Sequence, residues 1–98
     1  MKAIADIHIV PIGVGVSLSK YIAACERVLK DAGLDPKLHA YGTNIEGDYD
    51  TITGALKKCH EVLHDMGAPR VSSTLKLGTR TDKVESIQGR LDSVQSKG

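Results

Sequence analysis

One helical stripe occurs twice in this chain, 34 residues apart. Leu18, Tyr21, Ile22, Cys25, Val28, Leu29 and Ala32 recur in order as Ile52, Ala55, Leu56, Cys59, Val62, Leu63 and Met66, and Gly33 recurs as Gly67. Apolar residues three and four apart share one face of an α-helix, and that face has to be buried. A glycine just beyond each stripe supplies the left-handed turn that closes a helix. Each stripe is followed by a strand-like segment, residues 37–41 after the first and 70–77 after the second. The repetition implies two similar strand–helix–strand halves.

The first half opens with residues 3–10, where Ala3, Ala5, Ile7 and Ile9 alternate with Ile4, Asp6, His8 and Val10. Period two predicts a strand, and Pro11 is expected to end it. Residues 43–46 supply the short strand that opens the second half. The expectation is an α+β fold: a ferredoxin-like βαββαβ sandwich, with an antiparallel four-stranded sheet, two helices on one face and a C-terminal helix. All 98 residues are expected to form a single ferredoxin-like domain. Ser17 or Ser19 is placed to cap the first helix. The third helix is predicted from Lys83 to about Gln95 on the stripe Val84, Ile87, Leu91 and Val94. Asp82 and Glu85 resemble its capping box. Gly89, in its middle, costs about 1 kcal/mol and makes its order depend on docking.

With three tyrosines and no phenylalanine or tryptophan, the core must be aliphatic. A net charge of +1 argues against nucleic acid as a partner. No apolar run is long enough to span a membrane. Asp6 and His8 interrupt the first apolar stretch and no small-residue cleavage site follows, so no secretory leader is expected. The two cysteines lie on helix core stripes and read as inert, small, buried hydrophobes in a reducing compartment, which makes the cytosol the expected location.

Two helices on one face leave the other sheet face open. Val71, Ser73, Leu75, Leu77, Leu38 and Ala40 are expected to face the helices. Asp6, His8, Val10, His39, Tyr41, Ser72, Thr74 and Lys76 fall on the open face, which is either solvated, as antiparallel sheets allow, or stacked against another subunit to enclose polar pockets. His60-Glu61-Val62-Leu63-His64 matches the zinc-hydrolase pattern of two histidines one turn apart with a glutamate between them. On the helical wheel, however, Glu61 and His64 point to solvent. Gly13-Val14-Gly15-Val16-Ser17-Leu18 follows a strand and opens a helix but lacks the third glycine of a dinucleotide loop. Cys59 and His60, adjacent on a helix, point about 100° apart and do not form a nucleophile–base pair. Arg80 is placed to bridge subunits or to brace Asp82.

The densest chemistry lies in Thr43-Asn44-Ile45-Glu46-Gly47-Asp48-Tyr49-Asp50. Carboxylate, amide, hydroxyl and aromatic groups gather there at a strand end, which suits a small, flat, polar ligand. The structural alternative for Glu46 is to cap the helix that starts near Asp50 or to pair with a lysine. For Tyr41 it is a subunit contact. Val10-Pro11-Ile12-Gly13 with Ser17-Leu18-Ser19, Tyr41-Gly42-Thr43 with Ile45-Glu46-Gly47, Gly67-Ala68-Pro69-Arg70-Val71 and Arg80-Thr81-Asp82-Lys83 together resemble the small thiamine-binding protein family, over nearly the whole chain. The resemblance implies a ferredoxin-like fold, dimers that pair into tetramers, and thiamine or hydroxymethylpyrimidine as ligand, and it brings no established catalytic activity; no cofactor and no metal are expected. Thr43, Asn44 and Glu46 match the family signature and are the expected ligand-binding residues. Tyr41, Asp6 and His8 join them from the open-face argument. The rival readings are a metal-dependent hydrolase built on His60 and His64, and an assembly module without a small ligand.

Overall fold

The computed structural model describes residues 1–84 and 86–98. Its elements run β1 (Lys2–Ile12), α1 (Ser19–Asp31), β2 (Lys37–His39), β3 (Gly42–Asp48), α2 (Tyr49–Asp65), β4 (Arg70–Thr79) and α3 (Ile87–Lys97). The sheet is antiparallel throughout, in the order β2-β3-β1-β4, as in a ferredoxin-like fold. Ala3, Ala5 and Ile7 of β1 and Ile45 of β3 are buried beneath α1 and α2 with Leu29, Ile52, Cys59 and Leu63. Val71, Leu75 and Leu77 pack against the same core.

The sequence echo is also an echo of termination. Gly33 and Gly67 take left-handed φ values of 79° and 103°. Leu34 N–H reaches back to the Leu29 carbonyl, and Ala68 N–H reaches back to that of Leu63, each at 3.1 Å. Both helices thus close with the same six-residue wrap, which seats Leu34 and Ala68, each 2% exposed, in the core.

Several boundaries differ from expectation. β1 continues through Pro11 to Ile12, because β3 has already ended there and β4 alone pairs with it. Neither Ser17 nor Ser19 caps α1; Leu18 holds that position in a helical conformation and has no side-chain acceptor to offer. β2 stops at His39, and Leu38, although on the helix side, is 62% exposed because α1 does not reach over so short an edge strand. Asp48 caps α2 by accepting from Asp50 N–H at 3.1 Å. Its carboxyl is held below the ordinary value by the Met1 ammonium, 3.0 Å away.

The third helix starts four residues later than predicted. Ser86 is its cap, with an extended backbone and a hydroxyl accepting from Gly89 N–H at 2.9 Å. Gly89 therefore lies in the first turn, where a Cβ would stand 2.8 Å from the Ser86 hydroxyl. The expected partner Glu85 lies outside the described residues. No residue of α3 is buried. The radius of gyration, 14.5 Å, exceeds the roughly 13 Å of a compact chain of this length, in keeping with a helix that stands off the core.

Candidate ligand-binding cleft

β3 begins only at Gly42 and pairs with β1 no further than Ile7, while β1 runs on to Ile12, and β2 is only three residues long. A notch results between α1 and this side of the sheet. It holds about 110 Å³ and is walled by Ile7, Ile9, Leu18, Ile22, Leu29 and Leu38. Tyr41, 83% exposed, stands at its lip. In it the Thr43 hydroxyl, on a side chain only 5% exposed, donates to Glu26 Oε2 at 2.9 Å. No described residue donates to the other oxygen, Oε1. Apolar walls around a few convergent polar atoms are the usual composition of a small-molecule site. The volume, below the roughly 300 Å³ of a typical drug-sized pocket, suits a single ring.

Gly42 makes the corner possible. A Cβ there would lie 2.7 Å from the Ile7 carbonyl oxygen, so only glycine lets the strands cross this closely. The same gap admits His39, whose Nε2 lies 2.7 Å from Asp6 Oδ1.

The residues expected to share one pocket are divided by strand alternation. Thr43 points toward α1 and its cleft. Asn44 points the other way and donates to Asp6 Oδ1 at 3.2 Å, joining His39 in an open-face cluster. His8 is exposed one pleat beyond Asp6 on β1, and it also borders the cleft. Lys76 pairs across from Asp6 on β4, and with Arg90 of α3 it lines a broad, shallow hollow beside Asp6 and Asn44. Glu46 also lies on this face and is committed elsewhere: its Oε2 accepts from Ile87 N–H at 2.9 Å, tying down the start of α3. A carboxylate there opposes the positive end of the helix dipole. Sequence reasoning missed Glu26. The signal was present, since Leu18, Ile22, Glu26 and Leu29 share a helix face and Glu26 is its single charge.

The histidines of the zinc-like pattern serve different partners. His60 Nε2 meets the Ser73 hydroxyl at 2.8 Å, linking α2 to β4. His64 Nδ1 donates to the Ala68 carbonyl at 2.8 Å and helps close α2. Among the described residues no three His, Cys, Asp or Glu side chains are grouped to hold a metal. Arg80 braces Asp82 through its Nε at 2.6 Å and its terminal amine, drawing the Asp82 carboxyl down to about 2.

The chain also resembles known proteins along most of its length. Residues 5–95 match the family model described as thiamine-binding protein. A UPF0045 protein of Synechocystis is 50% identical over 96 residues, covering 98% of this chain and 79% of that one. The crystal structure of a hypothetical protein from Methanocaldococcus jannaschii superposes with a TM-score of 0.90 at 36% identity, covering 96% of both chains. A Thermotoga maritima chain named as a candidate thiamine biosynthesis/salvage protein shares the fold, with a TM-score of 0.81 at 18% identity over 96% of this chain and 99% of that one. By the extent of the family match and the identity to its relatives, this chain belongs to the thiamine-binding protein family.

Proposed function

We propose that the chain binds thiamine or its hydroxymethylpyrimidine moiety without transforming it, and that the pyrimidine ring enters the cleft between α1 and β3. Family membership supports the ligand class. The observation that carries the location is the Glu26–Thr43 pair within apolar walls. An aminopyrimidine presents an exocyclic amino donor beside ring nitrogens. Glu26 Oε1 accepts from the amino group, and the Thr43 hydroxyl holds Oε2 in place. Tyr41 covers the ring at the lip, and the remainder of thiamine, with its cationic thiazolium, stays outside near that aromatic face.

Thr43 and Tyr41 of the sequence-derived set belong to this site, and His8 borders it. Asp6, Asn44 and Glu46 belong to the opposite face, which in this reading is the surface for self-association into dimers or tetramers. Exposed Leu91 and Val94 on α3 favour that use. Two free, buried cysteines fit a cytosolic setting.

A thermal-shift panel of thiamine, its phosphates and hydroxymethylpyrimidine, run with mass measurement in solution, tests both parts. Ligand at a hundredfold excess over Kd raises stability by about 2.7 kcal/mol. If no compound moves the melting temperature, the binding assignment fails. A monomeric mass would remove the assembly.

A further inference from the structure

Cys25 and Cys59 hold the same place in the two halves of the repeat, and the packing of α1 on α2 brings them together. Cys59 is wholly buried, and its thiol points to the Cys25 carbonyl oxygen at 3.9 Å. Cys25 is 6% exposed and lines the cleft beside Glu26. Cys25 therefore borders the cleft, and the wholly buried Cys59 touches Cys25 through its thiol. Ligand binding as proposed uses neither.

We propose that Cys25 and Cys59 are a dithiol pair that hydrogen peroxide, entering by the cleft, oxidises to an intrachain disulfide. The Cys25 thiolate attacks one peroxide oxygen. An S–O bond forms, the O–O bond breaks, and the departing oxygen leaves as water after taking up a proton. The Cys59 sulfur then attacks the Cys25 sulfenic acid; the S–S bond forms and the hydroxyl leaves as a second water with the Cys59 proton. Two thiols are oxidised and one hydrogen peroxide is reduced to two waters.

The roles follow from the surroundings. Contact with the Cys59 side chain draws the Cys25 pKa down, against burial and the Glu26 carboxylate, which act upward. The same contact with Cys25, then burial, pushes Cys59 up; it is the second sulfur to react because it is wholly buried while Cys25 borders the cleft. At about 110 Å³ the cleft admits a peroxide and excludes a bulky disulfide such as oxidised glutathione. The proposal shares the cleft with the thiamine reading but not its ligand. Its test uses ligand-free protein, so failure of thiamine binding leaves it standing, and the reverse holds as well.

The experiment treats the folded, ligand-free chain with hydrogen peroxide, unfolds it in iodoacetamide and maps the cysteines by mass spectrometry. The expected product is a Cys25–Cys59 link within one chain, with neither thiol alkylated, reversed by dithiothreitol. Cys59→Ser is expected to trap a sulfenic acid on Cys25 that dimedone captures. Cys25→Ser is expected to leave Cys59 a thiol. Two alkylated cysteines in peroxide-treated wild type, a link between two chains, or equal oxidation of Cys59 in Cys25→Ser overturns the proposal. Should either variant fail to fold, the wild-type map alone decides.

Discussion

Replacing Glu26 by glutamine separates recognition from folding in the cleft. The Thr43 hydroxyl needs an acceptor, because at 5% exposure it has little access to water. Glutamine keeps a carbonyl oxygen within reach of that hydroxyl, so stability should hold to within about 1 kcal/mol. What it loses is the negative charge offered to the aminopyrimidine. A hydrogen bond to a charged group contributes about 1.5–3 kcal/mol, which corresponds to roughly a 10- to 150-fold rise in Kd. Glu26→Ala removes the acceptor as well, strands the hydroxyl, and should lower stability by a further 1–3 kcal/mol or so. Isothermal titration with thiamine and with hydroxymethylpyrimidine, beside urea melts of each variant, reads both quantities. Glu46→Gln is the control, since Glu46 faces the other side of the sheet and holds α3. Unchanged affinity in Glu26→Gln, or an equal loss in Glu46→Gln, would refute the placement of the ligand between α1 and β3.

Other expectations follow from the same contacts. Gly42→Ala should lower stability by about 1–3 kcal/mol in urea melts, because the added carbon meets the Ile7 carbonyl at 2.7 Å and cannot be relieved by a flexible side chain. Glu46→Ala should speed amide exchange at Ile87 and through the first turn of α3, a loss of about 0.3–1 kcal/mol, while leaving β1 and β3 protected. Leu63→Ala, at a side chain 1% exposed in the core, should cost about 2–5 kcal/mol of unfolding free energy. The Asp82 carboxyl should titrate near pH 2 by NMR and return toward 3.8 in Arg80→Gln. A folded pKa below the unfolded one means that the Arg80–Asp82 contribution is complete above about pH 4 and disappears as pH falls through 2.

Periodicity made the scaffold readable. Two stripes with glycines at equal offsets specify two helices of the same design, and alternation in residues 3–10 and 70–77 specifies which faces they cover. The ends were harder to read, because they depend on neighbours. Pro11 stays in β1 only because β3 has stopped, and Ser86 caps α3 by a backbone geometry that no periodicity encodes. The site was partly readable. Thr43 and Tyr41 fall at the cleft, yet reading Thr43, Asn44 and Glu46 as one cluster ignored the strand rule that sends neighbours to opposite faces. Glu26 escaped notice because its partner Thr43 is 17 residues away and on another element. Only the packing of α1 across β3 joins them.

The repeat also places Glu26 and His60 at equivalent positions, each bonded to a hydroxyl on the sheet. Beside α2 the sheet continues as the ten-residue β4; beside α1 it thins to the three-residue β2. So short a strand, held by β3 alone, can be shed without disturbing the rest of the sheet. Fraying of that one peripheral ribbon would widen the notch, and a guest lodged there would act as the rivet that fastens it.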